Sequence, residues 1–170
     1  MKKRLGSVLI VAALAGAASA QLTGIKVSAG YGWSGGIKDT GGVSRTMSGP
    51  ELTASLPFQH LPMIDLGAEY DVLFGGSGNT SIEGTLHRFL FTARMTVPGS
   101  QVGAWFGVGY GTVQGHGGDF STVSGSLSQL GLSFPLGSKS PGFAPTIEVA
   151  GTLAARSALS GFMIGVGLKF

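Results

Sequence analysis

Three polar residues that lie close together in the chain have the types needed for nucleophilic catalysis: His116, Asp119 and Ser121. A histidine oriented by a carboxylate can take the proton from a serine hydroxyl and make its oxygen a nucleophile. His116 and Asp119 also belong to the segment QGHGGD, whose glycines and aspartate are typical of a turn. The sequence shows no contact between base and hydroxyl, so we predict a polar loop here rather than a catalytic site.

The other residues that could do chemistry give no second site. His87 shares the parity of Phe89 on its predicted strand, and His60 falls in a predicted turn without a partner. The three histidines are far apart, and their spacing is not that of metal ligands. There is no cysteine, and the glycine-rich segments lack the context of a phosphate loop or a dinucleotide fingerprint. We therefore expect no enzyme activity, no metal and no cofactor.

Four charged residues have the spacing of one antiparallel hairpin. Asp65 and Asp71 are six residues apart, and so are Arg88 and Arg94. A register that sets residue 71 opposite residue 88 also sets residue 65 opposite residue 94, on the same face of the sheet. By the same reasoning, a turn near residues 156–160 would set Glu148 opposite Lys169.

These charge pairs (Asp65–Arg94, Asp71–Arg88 and Glu148–Lys169) fit two kinds of sheet. Inside a narrow barrel, charges must be paired because an isolated buried charge is costly. On a soluble sheet the same pairs would be exposed, and each would contribute less than about 1 kcal/mol. We predict that they lie in a lumen.

The elements that would carry these residues are strands. Apolar and polar residues alternate with period two in eight segments separated by Gly, Pro, Ser, Asn and Asp. The segments lie near residues 25–33, 51–56, 64–72, 88–97, 102–110, 120–134, 146–153 and 161–170. After the first twenty residues, no segment is long and apolar enough to predict a membrane-spanning helix. The predicted fold is all-β, an eight-stranded antiparallel up-and-down barrel.

The polar face of these strands indicates which side meets water. It consists mainly of Gly, Ser and Thr, and only 11% of the whole chain is charged, against about 25% in an ordinary soluble domain. A water-facing exterior would be rich in Lys and Glu, whereas a narrow lumen needs small residues. We therefore predict a transmembrane barrel with its apolar face in lipid.

The first 20 residues are predicted to be a cleaved export signal. Lys2-Lys3-Arg4 is a basic segment, residues 5–17 are apolar, and Ala18-Ser19-Ala20 fits a cleavage site. The barrel domain is then 21–170, which contains eight basic and eight acidic residues. Because this domain is neutral, no nucleic-acid partner is expected.

The final strand carries a resemblance to a known family. Phe162, Ile164, Val166, Leu168 and Phe170 alternate with Gly, Met and Lys, and the segment ends in an aromatic residue. Together with the export signal and eight amphipathic strands, this resembles the small eight-stranded outer-membrane β-barrels, such as OmpX-type proteins and the OmpA transmembrane domain. The resemblance implies an outer-membrane location, lipid contacts, and recognition of the final strand by the outer-membrane assembly machinery. It also implies external loops at 34–49, 75–82, 114–119 and 156–160.

For function we expect a structural or surface-adhesive role, with the lumen filled by side chains. The long loop 34–49, with Lys38 and Arg45, is the candidate surface for an external partner. Three alternatives stay open: a lipid-modifying enzyme that uses His116 and Ser121, a soluble periplasmic lipocalin-like barrel, and a narrow channel.

Overall fold

The chain folds into one closed antiparallel barrel, seen in a computed structural model. The structure describes residues 24–38, 42–76, 83–115, 122–137 and 144–169, so the predicted export signal lies outside the described residues. The eight barrel strands are β1 (Lys26–Ser34), β4 (Ser48–His60), β5 (Asp65–Gly75), β6 (Gly84–Thr96), β7 (Gly103–Gly115), β8 (Val123–Pro135), β9 (Ala144–Ala154) and β10 (Gly161–Lys169). A two-residue hairpin, β2 (Ile37–Lys38) and β3 (Ser44–Arg45), follows β1, and a 3₁₀ turn (Ser157–Leu159) precedes β10. The predicted all-β eight-stranded antiparallel barrel is confirmed.

Each barrel strand pairs with its neighbour in the chain, and β1 also pairs with β10, which closes the sheet. Closure leaves no barrel strand with an unpaired edge. The strand ends joined by residues 35–47, 76–83, 116–122 and 155–160 lie at one end of the barrel, called here the loop end. The strand ends joined by residues 61–64, 97–102 and 136–143 lie at the other, called the turn end. No helix among the described residues is long and apolar enough to cross a membrane.

The outer surface of the barrel is apolar. Because side chains alternate across a strand, the large hydrophobic residues of each strand share the outward face. Phe91, Leu130 and Leu153 leave 70%, 65% and 74% of their surface exposed. The inward positions of the same strands hold buried polar and charged residues such as Thr92, Gln129 and Thr152. This arrangement is the inverse of a soluble barrel, whose apolar face lines the interior.

Inward glycines make room for the bulky side chains of neighbouring strands. A Cβ atom at Gly131 would overlap the ring of Trp105, and one at Gly111 would lie 2.7 Å from Cδ2 of Leu127. The glycine-rich inner face of β7 and β8 therefore complements large residues that fill a narrow lumen.

The lumen is closed at the loop end by a hydrophobic cluster, called here the apolar plug. Its buried members come from four strands and two connections: Ile37, Met47, Leu73, Leu86, Leu90, Val113, Leu127, Ala158 and Leu159. The described part of the loop predicted at 34–49 thus folds back over the barrel rather than standing free in solvent. Backbone hydrogen bonds hold it there, from Ser34 N to Met47 O at 2.8 Å and from Gly35 N to Ser160 O at 2.7 Å.

Candidate functional site

Below the apolar plug, four polar side chains form a buried network, called here the central network. Arg88 Nη1 donates to Glu51 Oε1 at 2.9 Å, and both side chains are sealed from solvent. Gln129 Nε2 donates to Asp71 Oδ2 at 3.0 Å, while its Oε1 accepts from Trp105 Nε1 at 3.1 Å. These two hydrogen-bonded groups together involve residues from five strands.

Nearer the turn end, two ion pairs share one aromatic ring. Lys26 pairs with Glu148, and Arg94 pairs with Glu69. The Lys26 Nζ lies 5.2 Å from the centroid of the Trp105 ring, and the Arg94 Cζ lies 4.6 Å from it. A cation over an aromatic face is attracted by the ring quadrupole, so Trp105 helps to fix both basic side chains.

The two layers do not balance in charge. Among the described inward residues they hold four carboxylates and three basic groups: Glu51, Glu69, Asp71 and Glu148 against Lys26, Arg88 and Arg94. Glu51 Oε2, Asp71 Oδ1, and the Nε and Nη2 of Arg88 are buried without a hydrogen-bond partner. Buried polar atoms are nearly always satisfied, so these atoms are exceptions among the described residues of the lumen.

The charge pairs proposed from the sequence are rearranged in the structure. The register of β5 and β6 sets Asp71 opposite Arg88 and Asp65 opposite Arg94. Arg88 and Arg94 nevertheless form their ion pairs with Glu51 and Glu69 rather than with these aspartates. The reason is length, because an arginine side chain that extends into the lumen reaches beyond the shorter aspartate opposite it. Asp65 Oδ1 instead accepts a 2.7 Å hydrogen bond from His60 Nδ1 at the exposed turn end.

The predicted pairing of Glu148 with Lys169 is wrong. Glu148 lies opposite Gly165, and Lys169 lies opposite Ala144. The prediction placed the centre of the β9–β10 turn too late in the chain, and this moved the register by four residues. Glu148 reaches past β10 to Lys26 of β1 instead.

Three partners in these ion pairs were missed by the sequence reasoning. Lys26, Glu51 and Glu69 all have the inward parity of their strands, so parity was the signal that could have found them. The spacing of residues within a hairpin could not have identified these partners, because Arg88 lies on β6 and Glu51 on β4, two strands apart.

The candidate catalytic residues His116, Asp119 and Ser121 lie outside the described residues. His87 is half-buried on the outer face, with Nδ1 2.7 Å from Tyr70 Oη and Nε2 3.2 Å from Thr85 Oγ1. No group of three or more His, Asp or Glu side chains in the described ranges is placed to hold a metal ion.

The residues of the predicted assembly signal lie on the outer face of β10. Phe162, Ile164 and Val166 are 45%, 45% and 50% exposed, and Leu168 is half-buried. Phe170 lies outside the described residues.

A cavity of about 590 Å³, called here the vestibule, opens at the turn end of the lumen. Lys26, Arg94 and Trp105 line it with side chains that are largely buried, and Asp65 and Lys169 line it with more exposed ones. The lumen is therefore open at the turn end, while the apolar plug fills it towards the loop end.

Comparison with solved structures identifies the fold. Neisserial surface protein A is 15% identical, with a TM-score of 0.51, and the match covers 86% of this chain and 97% of that one. Ail, the attachment invasion locus protein of Yersinia pestis, solved with the heparin analogue sucrose octasulfate, is 18% identical with a TM-score of 0.51. That match covers 88% of this chain and 100% of Ail. No protein-family model and no curated protein matches the chain. The fold is that of the small eight-stranded outer-membrane β-barrels, and the predicted resemblance is confirmed.

Proposed function

We propose that the chain is an integral outer-membrane β-barrel with a non-catalytic, structural or surface-adhesive role. The observation that carries this proposal is the apolar outer belt around a closed sheet. A surface of this kind is stable in hydrocarbon, because every barrel strand finds its hydrogen-bond partners within the sheet. In water it would be a large exposed apolar patch, which soluble monomers rarely carry.

The interior supports a filled rather than a conducting barrel. The apolar plug closes the loop end, and the central network crosses the middle of the lumen. An eight-stranded barrel is just wide enough for side chains to fill it. The charged central network also disfavours a lipocalin-like barrel, which needs an apolar cavity for its ligand.

The loop end is proposed to face the outside of the cell. The absence of cysteine from the chain allows a direct test with single-cysteine variants. Lys38→Cys, on the exposed hairpin at the loop end, should react with a membrane-impermeant maleimide in intact cells. Ser100→Cys, exposed at the turn end, should react only after permeabilisation. Labelling of Ser100→Cys alone in intact cells would reverse the orientation, and a chain soluble without detergent would refute the membrane location.

The hairpin β2–β3 is the proposed contact surface for an external partner. Ile37 and Met47 anchor it in the apolar plug, while Lys38 and Val43 remain exposed. An anchored loop loses less conformational entropy on binding than a free one. A polyanion is the expected type of partner, because Ail, which has the same fold, was solved with a heparin analogue. Cells displaying the chain should adhere to immobilised heparin, and Lys38→Gln should weaken adhesion; equal adhesion by cells without the chain would refute this role.

A lipid-modifying enzyme centred on His116 and Ser121 is the competing function. Purified protein in mixed micelles with labelled phospholipid or lipid A should release no product. Product release that is lost in His116→Ala would replace the non-catalytic proposal.

A further inference from the structure

We propose that the vestibule at the turn end is a binding site for a compact organic anion, with a carboxylate or phosphate group and an apolar remainder. Its volume of about 590 Å³ is within the range of small-molecule sites. The site is separate from the loops of the proposed function, and its test does not depend on adhesion or orientation.

The first argument is an asymmetry in the two ion pairs of the inner vestibule. In each pair the carboxylate is sealed, with side chains of Glu148 and Glu69 both 2% exposed. The basic partners keep more exposure, 11% for Lys26 and 20% for Arg94. A molecule entering the vestibule therefore meets the cations of both pairs and not their carboxylates.

The second argument is spare hydrogen-bonding capacity. Arg94 donates to Glu69 through Nη2, and the side chain keeps 20% of its surface exposed in the lining of the vestibule. A guanidinium has five donors in a fixed planar fork, which matches carboxylate and phosphate oxygens. The Trp105 ring holds the basic groups in place, so less side-chain entropy is lost when an anion binds.

The third argument is the charge of the rim. Lys169 is exposed and lines the vestibule, which adds a third basic group to the described lining. The one carboxylate in the described lining, Asp65, is already bonded to His60 at 2.7 Å. Lys169 and Asp65 balance in formal charge, so the preference for an anion comes from the inner ion pairs, whose basic groups are more exposed than their carboxylates.

The apolar part of the ligand is inferred from the outer wall. Leu61, Met63, Val97 and Leu136 line the vestibule and are each more than a third exposed. An anion bound at the inner end would lay its remaining atoms against these side chains. A bare inorganic ion would leave this wall in contact with water.

The test uses the full chain folded in a nonionic detergent, with Trp105 as reporter. The protein has two tryptophans, so Trp33→Phe, on the outer face, leaves Trp105 as the only one. The probes are phenyl phosphate and phenyltrimethylammonium, which share the phenyl ring and differ in charge. We expect a saturable change in Trp105 fluorescence with phenyl phosphate and none with phenyltrimethylammonium.

Three variants distinguish the site from adsorption to the micelle. Lys169→Gln should weaken phenyl phosphate binding by about two- to fivefold, as expected for a partly exposed charge. Arg94→Gln with Glu69→Gln, which leaves no stranded carboxylate, should weaken it by about tenfold or more. Arg156→Gln, a matched change of an exposed basic residue at the loop end, should have no effect. Retention of the heat-dependent shift on SDS gels checks that each variant is folded.

The proposal is overturned by any of three results. These are the absence of a saturable change with phenyl phosphate, an equal response to the cationic probe, and unchanged affinity in both vestibule variants.

Discussion

Arg88 is the residue whose removal should damage the barrel most. Its side chain is 1% exposed, and it is the only basic group within the central network described above. Arg88→Met keeps much of the volume but strands the carboxylates of Glu51 and Asp71 in the lumen. Removing one partner of a buried ion pair typically costs about 3–5 kcal/mol, or roughly 10²–10⁴ in the unfolding equilibrium constant.

A comparison with Asp71→Asn tests the reasoning behind that figure. The described lumen holds one carboxylate more than it holds basic groups, so neutralising Asp71 balances the count. The asparagine carbonyl can still accept the hydrogen bond from Gln129. Asp71→Asn should therefore change the free energy of unfolding by less than about 1 kcal/mol, or stabilise the barrel.

The measurement is urea unfolding of the protein in lipid vesicles, followed by tryptophan fluorescence. With a slope near 2 kcal/mol per molar urea, a loss of about 4 kcal/mol lowers the midpoint by about 2 M. Arg156→Met, which removes an exposed arginine, is the matched control and should have an effect within about 0.5 kcal/mol. In the Arg88→Met background, adding Glu51→Gln and Asp71→Asn should recover most of the loss. The reasoning fails if Arg88→Met resembles the control, or if Asp71→Asn costs as much as Arg88→Met.

Three further changes test the plug, the belt and the lumen packing. Leu159→Ala, at a fully buried position of the apolar plug, should lower the free energy of unfolding by about 2–5 kcal/mol. In planar bilayers the unmodified chain should show no ion conductance, and the variant should show some; unchanged stability would contradict the packing role of the plug. Phe91→Lys, on the apolar outer belt, should cost about 2–4 kcal/mol in vesicles, and a refolding yield equal to that of the unmodified chain would argue against a lipid contact. Gly131→Ala should shift the near-ultraviolet circular dichroism of Trp105, whereas Gly151→Ala, whose new methyl group would meet no atom within 4 Å, should not; equal spectra would refute the packing role.

The barrel could be predicted from the sequence because its determinants are local. Strict alternation fixes which residues share a face, and sparse charge on the polar face indicates a lumen. The register of a hairpin can also be predicted from the sequence when the position of its turn is predicted correctly, as for β5–β6. The predicted register of β9–β10 was wrong because its turn was placed too late in the chain. Contacts across the lumen are different, because they depend on strand tilt and side-chain reach. No spacing in the sequence joins Gln129 to Asp71 or Lys26 to Glu148.

The apolar plug illustrates the same limit in a connection. Ile37 and Met47 are large apolar residues of a loop that otherwise consists, apart from Val43, of glycine and polar residues, and Leu159 lies in a short turn. Each is unremarkable alone, and only closure of the barrel brings the three to one point above Leu73 and Leu86.

Along the barrel axis, the lumen changes from the apolar plug at the loop end, through the central network, to the vestibule at the turn end. The central network is excluded from bulk water at the loop end by the apolar plug, which strengthens its electrostatic interactions but leaves no route for solvent from that side. Among the described residues, the open route towards the unpartnered atoms of Glu51, Asp71 and Arg88 is the vestibule. Lys26, Arg94 and Trp105 stand across that route, so the groups that would bind an anion also control solvent access to the central network. An anion held there should slow hydrogen exchange of the Trp105 and Gln129 side-chain N–H groups, even though Gln129 lies beyond its reach.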